Sequence, residues 1–595
     1  MTREFPLLTQ LNPAQRRAAT AGPGHLCINA AAGTGKTSTV AARILWLQLV
    51  KGVPASSILA VTFSRAARTN LLERVEAYTH ILGQGSSVQT LTLHGLAFRV
   101  LRAATRTGET WLRPGFDLIT SGRDRINPML QENADALLVD LTDKWDLPTR
   151  VEQYSLALEA VRQGCRALDR AVLRPDELPA GEIIRIPAPI QTDLLRRVWE
   201  RYNRLLRSRN SIDHAGMVTE AIAALYHDGE TLRRSRENLQ YIIVDEYQDT
   251  SRAQEELIQL LVGEQTSVNV VGDSDQAIYT FNGADVGNIV HFGDRMADVE
   301  SPLTVLPPVD LMDNYRSSPK ILAAANRVLR IIHGHERKQL VPATGSLPEP
   351  VKSYRQRDYD VVRVSAPDLD AAAAWAAHEI QRLVTAEAVA PSDIAVLVRK
   401  DTAYSPQGAR VREALAAIGI ATENYDRDPA RTARLQEAVR SLCGDPDNYG
   451  EPLSALRVRV AAGEFAGDLG EFAPDEVTAL LAEAEVAGAE YAYEAAEFVY
   501  EQGAPEATPA DLSGVQVRTV HSAKGLEFRV VFLMYVADRA FPHGAVPDLE
   551  EERRLYYVGL TRAQERLYVL GRKGIRSDSF FDEIAGAGVT TVQAG

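Results

Sequence analysis

Short runs rich in branched and apolar residues recur along the chain: His25–Ala31, Ile58–Phe63, Tyr241–Asp245, Val268–Gly272, Ile394–Arg399 and Val530–Tyr535. Helical patterns separate them, and strands alternating with helices argue for parallel sheets of the α/β class. The first run reads as a buried strand, followed by a turn over Ala32–Lys36 and a helix through Leu49. The runs resume after a proline-rich break at Pro302–Pro308, so two sheets are expected. Residues 105–205 read as mostly helical and include the arginine-rich stretch Asp193–Arg209. Residues 428–512 are rich in alanine and glutamate, with a helix expected over Pro474–Gln502. Both stretches read as insertions in an α/β frame.

The turn after the first strand carries the first chemical signal. Ala31, Ala32, Gly33, Thr34, Gly35, Lys36 and Thr37 lie between a strand and a helix. In that setting backbone N–H groups and a helix N-terminus cradle phosphates, a lysine reaches the β- and γ-phosphates, and a hydroxyl meets Mg²⁺. A second signal is the strand Ile242–Val244, which runs into the adjacent carboxylates Asp245 and Glu246. Such a strand end can bring Asp245 to the metal while Glu246 polarises an attacking water.

Charge changes the picture only through its distribution. The net charge is −14, and residues 444–512 hold all of it: sixteen carboxylates against two arginines and no lysine. The remainder is balanced, so overall acidity does not argue against a nucleic-acid partner. The three cysteines, Cys27, Cys165 and Cys443, match no metal spacing, and no iron–sulfur or zinc module is expected. No apolar run is long enough to span a bilayer, and MTREFPLLTQ lacks the features of an export signal, which leaves a cytoplasmic location as the default.

With Asp245–Thr250 (DEYQDT) the resemblance becomes specific: the chain resembles superfamily 1 helicases of the UvrD/Rep type. Further motifs follow in family order. They are Leu11–Gln15, Thr62–Ala67, Thr92–Gly95, Gly272–Ala284, Asn314–Ser317, Val520–Phe528 and Glu552–Ala563. The resemblance implies two RecA-like motor domains, the first over 1–104 and 206–300 and the second over 301–427 and 513–595, with insertions at 105–205 and 428–512. It implies ATP and Mg²⁺ as cofactors, with nucleotide contacts from Gln15, Ala32, Gly33, Thr34, Gly35, Lys36, Thr37, Ser38, Tyr315 and Glu527. Thr37 and Asp245 would hold the metal. Glu246, Gln276, Arg316 and Arg562 would carry the catalysis, the two arginines meeting charge that builds on the γ-phosphate. Gln15 would read adenine, Tyr315 would stack on it and Glu527 would bind the ribose.

Phe63, His94, Tyr279, Phe281 and His521 are the expected contacts to single-stranded DNA. Stacking on aromatic rings is indifferent to sequence, which suits a motor. Phe63 at a strand end also fits a plain core residue. Arg65, Arg68 and Arg99 are candidates for phosphates. By resemblance the activity is 3′→5′ unwinding of duplex DNA at single-strand/duplex junctions, in repair, replication or recombination. A translocase that strips proteins from the strand, or an ATP-gated nucleic-acid-binding component, are the alternatives. Two departures stand out. Ser38 occupies a position where family members often carry a stacking arginine, and Phe281 stands where the family usually has tryptophan. The acidic segment 444–512, repelled by phosphates, reads as a lid or protein-contact element or else as a solvated helical face. Some relatives append a nuclease domain; from the short stretch after Arg562, nuclease activity is not expected.

Overall fold

The computed structural model describes residues 5–119 and 203–594 apart from short interruptions, among them 281–282, 334–337, 345–350, 500–508, 542–548 and 573–579. Two six-stranded sheets organise these residues. The first contains β1 (Leu26–Ala30), β2 (Ile58–Thr62), β3 (Gln89–Thr92), β4 (Tyr241–Val244), β5 (Ser267–Gly272) and β6 (Val309–Leu311). Their spatial order is β3-β2-β4-β5-β1-β6, and every pairing is parallel. The second contains β7 (Val361–Ser365), β8 (Ile394–Val398), β9 (Gln516–Thr519), β10 (Phe528–Val536), β11 (Ala563–Gly571) and β12 (Val589–Gln593). It is ordered β9-β8-β10-β11-β7-β12 and is also parallel throughout.

Apolar residues on both faces explain this form. In the first sheet Leu59, Val61, Ile242 and Val244 enter one core, while Ile58, Ala60, Tyr241 and Ile243 enter the core on the opposite face. The second sheet repeats the pattern, with Ala395, Leu397, Val531 and Leu533 on one side and Ile394, Val396, Val530 and Phe532 on the other. Side chains alternate along a strand, so a strand apolar at every position needs cover on both faces. Each buried Val, Leu or Ile contributes roughly 1.5–3 kcal/mol.

The helices that matter for the site are α1 (Pro13–Thr20), α2 (Lys36–Leu49), α3 (Arg65–Leu82), α4 (Leu93–Thr107), α5 (Pro319–His333) and α6 (Leu549–Leu560). Because the first sheet is parallel, the segments after β1, β2, β3, β4 and β5 all emerge at one edge. That edge carries the phosphate-type turn, Phe63, His94, Asp245 and Asp273. The starts of β10 and β11 bring Glu527 and Arg562 from the second lobe. The lobes also share apolar contacts, since Ala31, Ala32 and Ile278 pack with Ile321, Val520 and Tyr557.

One boundary moves. The proline-rich break suggested a change of domain at residue 300, yet β6 pairs with β1 and extends the first sheet to Leu311. Pro307 and Pro308 end the preceding segment without barring a strand at the sheet edge, where a missing N–H is tolerated. Of the expected first insertion, 120–202 lies outside the described residues. In the second, helices Pro429–Gly444, Leu453–Ala461 and Pro474–Val486 build a separate core around Leu442, Leu456, Phe472 and Leu481. The helix expected through Gln502 is described to Val486. Ala492, Ala495 and Val499 beyond it are helical and buried, and the residues between them lie outside those described. An antiparallel pair joining Asn424 and Tyr425 to Asp511 and Pro509 forms the base of this module.

Candidate functional site

The turn after β1 is shaped by two glycines. Gly33 and Gly35 sit at φ +68° and +79°, where an L side chain is strained. A Cβ on Gly33 would fall 2.5 Å from Asn314 Nδ2, and one on Gly35 2.8 Å from Gln15 Nε2. Thr34 is buried, its hydroxyl donating to Ala31 O at 2.8 Å. No side chain caps α2, and no acidic residue lies in its first turn. Its N-terminal N–H groups and the positive end of its dipole therefore suit an anion. Lys36, Thr37 and Ser38 form that first turn.

Lys36 Nζ lies 3.1 Å from Glu246 Oε2. Burial works against the lysine charge, but Glu246, Asp273 and Asp245 hold its pKa above the ordinary value. Glu246 has φ +53°, a left-handed conformation that costs an L residue about 1–2 kcal/mol. Its carboxylate also accepts from Gln248 Nε2 at 2.6 Å. Burial and the neighbouring Glu246 charge push Asp245 up to about 7. Burial would raise Glu246 as well, yet Lys36 and Lys524 hold it down at about 2. Among the described residues no group of three or more His, Cys, Asp or Glu could hold a metal unaided. Asp245 and the Thr37 hydroxyl supply oxygen donors at the mouth of an anion cradle. That fits Mg²⁺, which binds through one or two carboxylates together with phosphate oxygens.

The second lobe closes over this turn. Asn314 Nδ2 donates to Ala32 O at 2.7 Å, and Tyr315 N donates to Gly33 O at 2.8 Å. Asn314 Oδ1 accepts from the N–H groups of Arg316 and Ser317, which fixes the chain just before α5. Arg316 Nε pairs with Glu527 Oε2 at 2.6 Å, and its Nη1 donates to Thr561 O. Arg562 is 1% exposed; its Nε donates to Val558 O at 3.0 Å and its Nη1 to Leu526 O at 3.1 Å. Its Nη2 crosses to the first lobe and donates to Gln276 Oε1 at 3.2 Å. Burial, then the neighbouring Arg316 charge, lowers the Arg562 pKa to about 9. Two guanidiniums held this close leave a positive region that an anion would relieve. Lys36, Asp245, Glu246, Gln276, Tyr315, Arg316, Glu527 and Arg562 all line one cleft of about 830 Å³.

Gln15 is buried with its amide engaged. Its Oε1 accepts from Asn12 N in a capping box that starts α1, and its Nε2 donates to Thr34 O at 2.9 Å. One donor and one acceptor position remain on that amide. Tyr315 OH accepts from Asn12 Nδ2 at 3.0 Å, so the start of α1 and Tyr315 form a common wall. Glu527, expected at a ribose, is occupied by Arg316.

Beside the cleft, Phe63 and Tyr279 stack with centroids 5.2 Å apart and planes at 25°. Tyr279 OH donates to His521 O at 3.2 Å, and the two rings lie 6.2 Å apart. Burial, helped by the Arg399 and Lys524 charges, lowers the His521 pKa to about 4, so the ring is neutral near neutral pH. His94 stands in the first turn of α4; Thr92, just before it, is paired with Thr62, just before Phe63. Phe281 and the Arg65 side chain lie outside the described residues. Arg99 Nη1 hydrogen-bonds Gln89.

Sequence reasoning gave no role to Lys524 or Asn314, although both lay inside quoted motifs. Lys524 Nζ contacts Asp249 Oδ2 and Gln276 O, and stands 4.9 Å over the Tyr279 ring. It therefore touches both the cleft between the lobes and the aromatic stack.

Two parallel-sheet lobes, a phosphate-type turn between them and a guanidinium reaching across the gap define a P-loop motor of the two-lobed kind. The comparisons give that class a family. Residues 11–297 match the UvrD/REP helicase N-terminal domain, and residues 493–573 match the UvrD-like helicase C-terminal domain. The chain belongs to the UvrD/Rep helicase family. It is similar to the ATP-dependent DNA helicase UvrD2 of Mycobacterium tuberculosis, 28% identical over 94% of this chain and 78% of the relative. UvrD1 of Mycobacterium leprae is 28% identical over 95% and 82% of the two chains. PcrA of Bacillus subtilis is 27% identical over 95% and 83%. No helix of the described residues is long and apolar enough to cross a membrane.

Proposed function

We propose that this protein is an ATP-dependent DNA helicase that moves 3′→5′ along single-stranded DNA. The observation that carries the reading is the contact of Arg562 with Gln276 across the lobes, on the same loop that places Tyr279 against Phe63 and His521. The catalytic cleft and the stacking surface are thus two ends of one short segment.

In this reading the uncapped start of α2 and Lys36 bind the triphosphate, and Lys36 exchanges Glu246 for phosphate oxygens. Thr37 and Asp245 would hold Mg²⁺, which would supply neutralisation of phosphate charge. Glu246, freed from Lys36, orients the attacking water and accepts its proton, while Gln276, Arg316 and Arg562 meet the charge that develops on the leaving phosphoryl group. Tyr315 stacks on the adenine, and the remaining donor and acceptor of Gln15 match its N7 and exocyclic amine. The boundaries that fit this motor are first-lobe segments up to about residue 311, second-lobe segments beyond it, and a separate module over 428–512. Because Lys36 and Glu246 belong to one lobe and Arg316 and Arg562 to the other, the triphosphate favours the closed state, and cleavage removes that preference.

The test is ATP hydrolysis with and without poly(dT), followed by displacement of a labelled strand from duplexes with a 3′ or a 5′ tail. Stimulation by poly(dT) and displacement from the 3′-tailed duplex are expected. Absence of stimulation would remove the motor reading. Displacement only from the 5′ tail would reverse the polarity, and stimulation without displacement would favour protein stripping.

A further inference from the structure

Away from the cleft, a lysine is buried between two aspartates where the lobes meet. Lys338 lies beyond the end of α5, in the second lobe, and only 12% of its side chain is exposed. Its Nζ pairs with Asp273 Oδ1 and lies 2.7 Å from Asp275 Oδ2. Both aspartates belong to the first lobe, directly after β5, and are almost wholly buried. His333, the last residue of α5, contacts Asp275 Oδ1 through Nε2 at 2.6 Å. The segment holding Lys338 is itself anchored, since Asn326 on α5 exchanges hydrogen bonds with both the N–H and the C=O of Leu340.

The two aspartates lead into the reaction centre. Asp273 Oδ2 accepts from Gln276 Nε2 at 2.5 Å, and Gln276 Oε1 accepts from Arg562. Asp273 N donates to Gln248 Oε1 at 2.9 Å, and Gln248 Nε2 donates to Glu246. A single ammonium thus fixes the carboxylate that sets the orientation of Gln276, on a residue whose backbone N–H is joined through Gln248 to Glu246. Stability alone is a poor reason for this arrangement, because an ion cluster stripped of water is often no more stabilising than apolar residues of the same volume. The lobe that delivers Arg562 also delivers Lys338 to the other side of the same glutamine.

We propose that Lys338 is a positioning residue for ATP hydrolysis: it locks Asp273 from the second lobe so that Gln276 faces Arg562 when the lobes are together. This rests on the helicase reading above. Lys338 touches no substrate, so its removal misplaces groups rather than deleting one. A displacement near 1 Å at such groups lowers turnover by about a hundredfold.

The experiment uses the full chain with Lys338→Met, Asp275→Asn and the double variant. Turnover, KM for ATP and thermal midpoint are measured with and without poly(dT). Lys338→Met leaves two buried carboxylates short of a cation and is expected to lower both midpoint and kcat. The double variant restores the net charge of the cluster and should regain the midpoint. Its kcat should stay at least about tenfold below wild type, with KM for ATP little changed. Asp275→Asn alone should keep most of the turnover. Recovery of kcat in the double variant would reduce Lys338 to a charge balancer and overturn the proposal. A rise in KM with unchanged kcat, or a loss of kcat in Asp275→Asn equal to that of the double, would overturn it as well. If wild type is not stimulated by poly(dT), the motor reading fails on that result. Lys338 is then judged on the basal kcat, because Gln276 borders the phosphate site with or without a strand.

Discussion

Replacing Arg562 with alanine removes a buried guanidinium that carries four hydrogen bonds, one of them across the lobes to the Gln276 side chain. Two separate losses follow. Leu526 O loses its guanidinium donor while Val558 O keeps the Thr561 hydroxyl, and a carbonyl that stays unsatisfied costs the fold about 1–3 kcal/mol. For domains of this size that lowers the thermal midpoint by a few degrees, about 2–4 °C per kcal/mol. The larger loss is in the transition state, where a missing arginine of this kind typically slows phosphoryl transfer by about 10³–10⁵, equivalent to about 4–7 kcal/mol. Nucleotide affinity should change far less, since the α2 N-terminus and Lys36 lie on the other lobe. The assay is steady-state hydrolysis at saturating ATP and poly(dT), with binding of a fluorescent nucleotide and thermal melting as controls. Gln276→Ala and the double variant complete a cycle, and because the two side chains are bonded at 3.2 Å their effects should fall short of additive. A folded Arg562→Ala protein that turns over within about tenfold of wild type would refute the assignment.

Tyr279→Ala removes the ring between Phe63 and His521, and should weaken binding of a dT oligomer by about 1–3 kcal/mol in fluorescence anisotropy; unchanged affinity would move the strand path elsewhere. Lys36→Ala is expected to lose nucleotide binding, whereas Glu246→Gln should bind ATP without turning it over; activity retained in either contradicts the site. Excising the acidic module between Tyr425 and Pro509, which are paired at its base, should leave strand-stimulated hydrolysis intact. It should also tighten strand binding at low salt, a gain that high salt abolishes. Loss of strand binding on excision would show that the module carries part of the path.

The first-lobe side of the candidate site was legible because its parts are local. A buried strand, a glycine turn and a helix lie within Leu26–Leu49, and Asp245 and Glu246 directly follow an apolar strand. Buried parallel strands announce themselves by continuous apolar runs, so the central strands β1, β2, β4, β5, β8 and β10 could be read directly. The remaining strands could not. β3 carries a glutamine and two threonines, β6 follows two prolines, and β12 is largely exposed. Such strands depend on a neighbour's unpaired edge more than on their own composition. Lys338 was invisible for a different reason: its partners Asp273 and Asp275 lie over sixty residues earlier, and nothing local marks a buried lysine.

The spacing of Gln276 and Tyr279 has a thermodynamic consequence. One residue touches Arg562 and the other touches Phe63 and His521, and only Ala277 and Ile278 separate them. Both intervening residues are fully buried, and Ile278 packs in the core of the opposite lobe. A segment clamped in this way moves as a unit, so lobe closure cannot reposition Gln276 and leave Tyr279 behind. If a strand stacked on Tyr279 favours the closed arrangement by some factor, nucleotide affinity rises by that same factor, and the reverse holds equally. Coupling of 1–3 kcal/mol, about 5–150-fold, is ordinary for such linkage. It would arise here without a long pathway, because the two sites share one rigid loop held between lobes by Lys524 and Lys338.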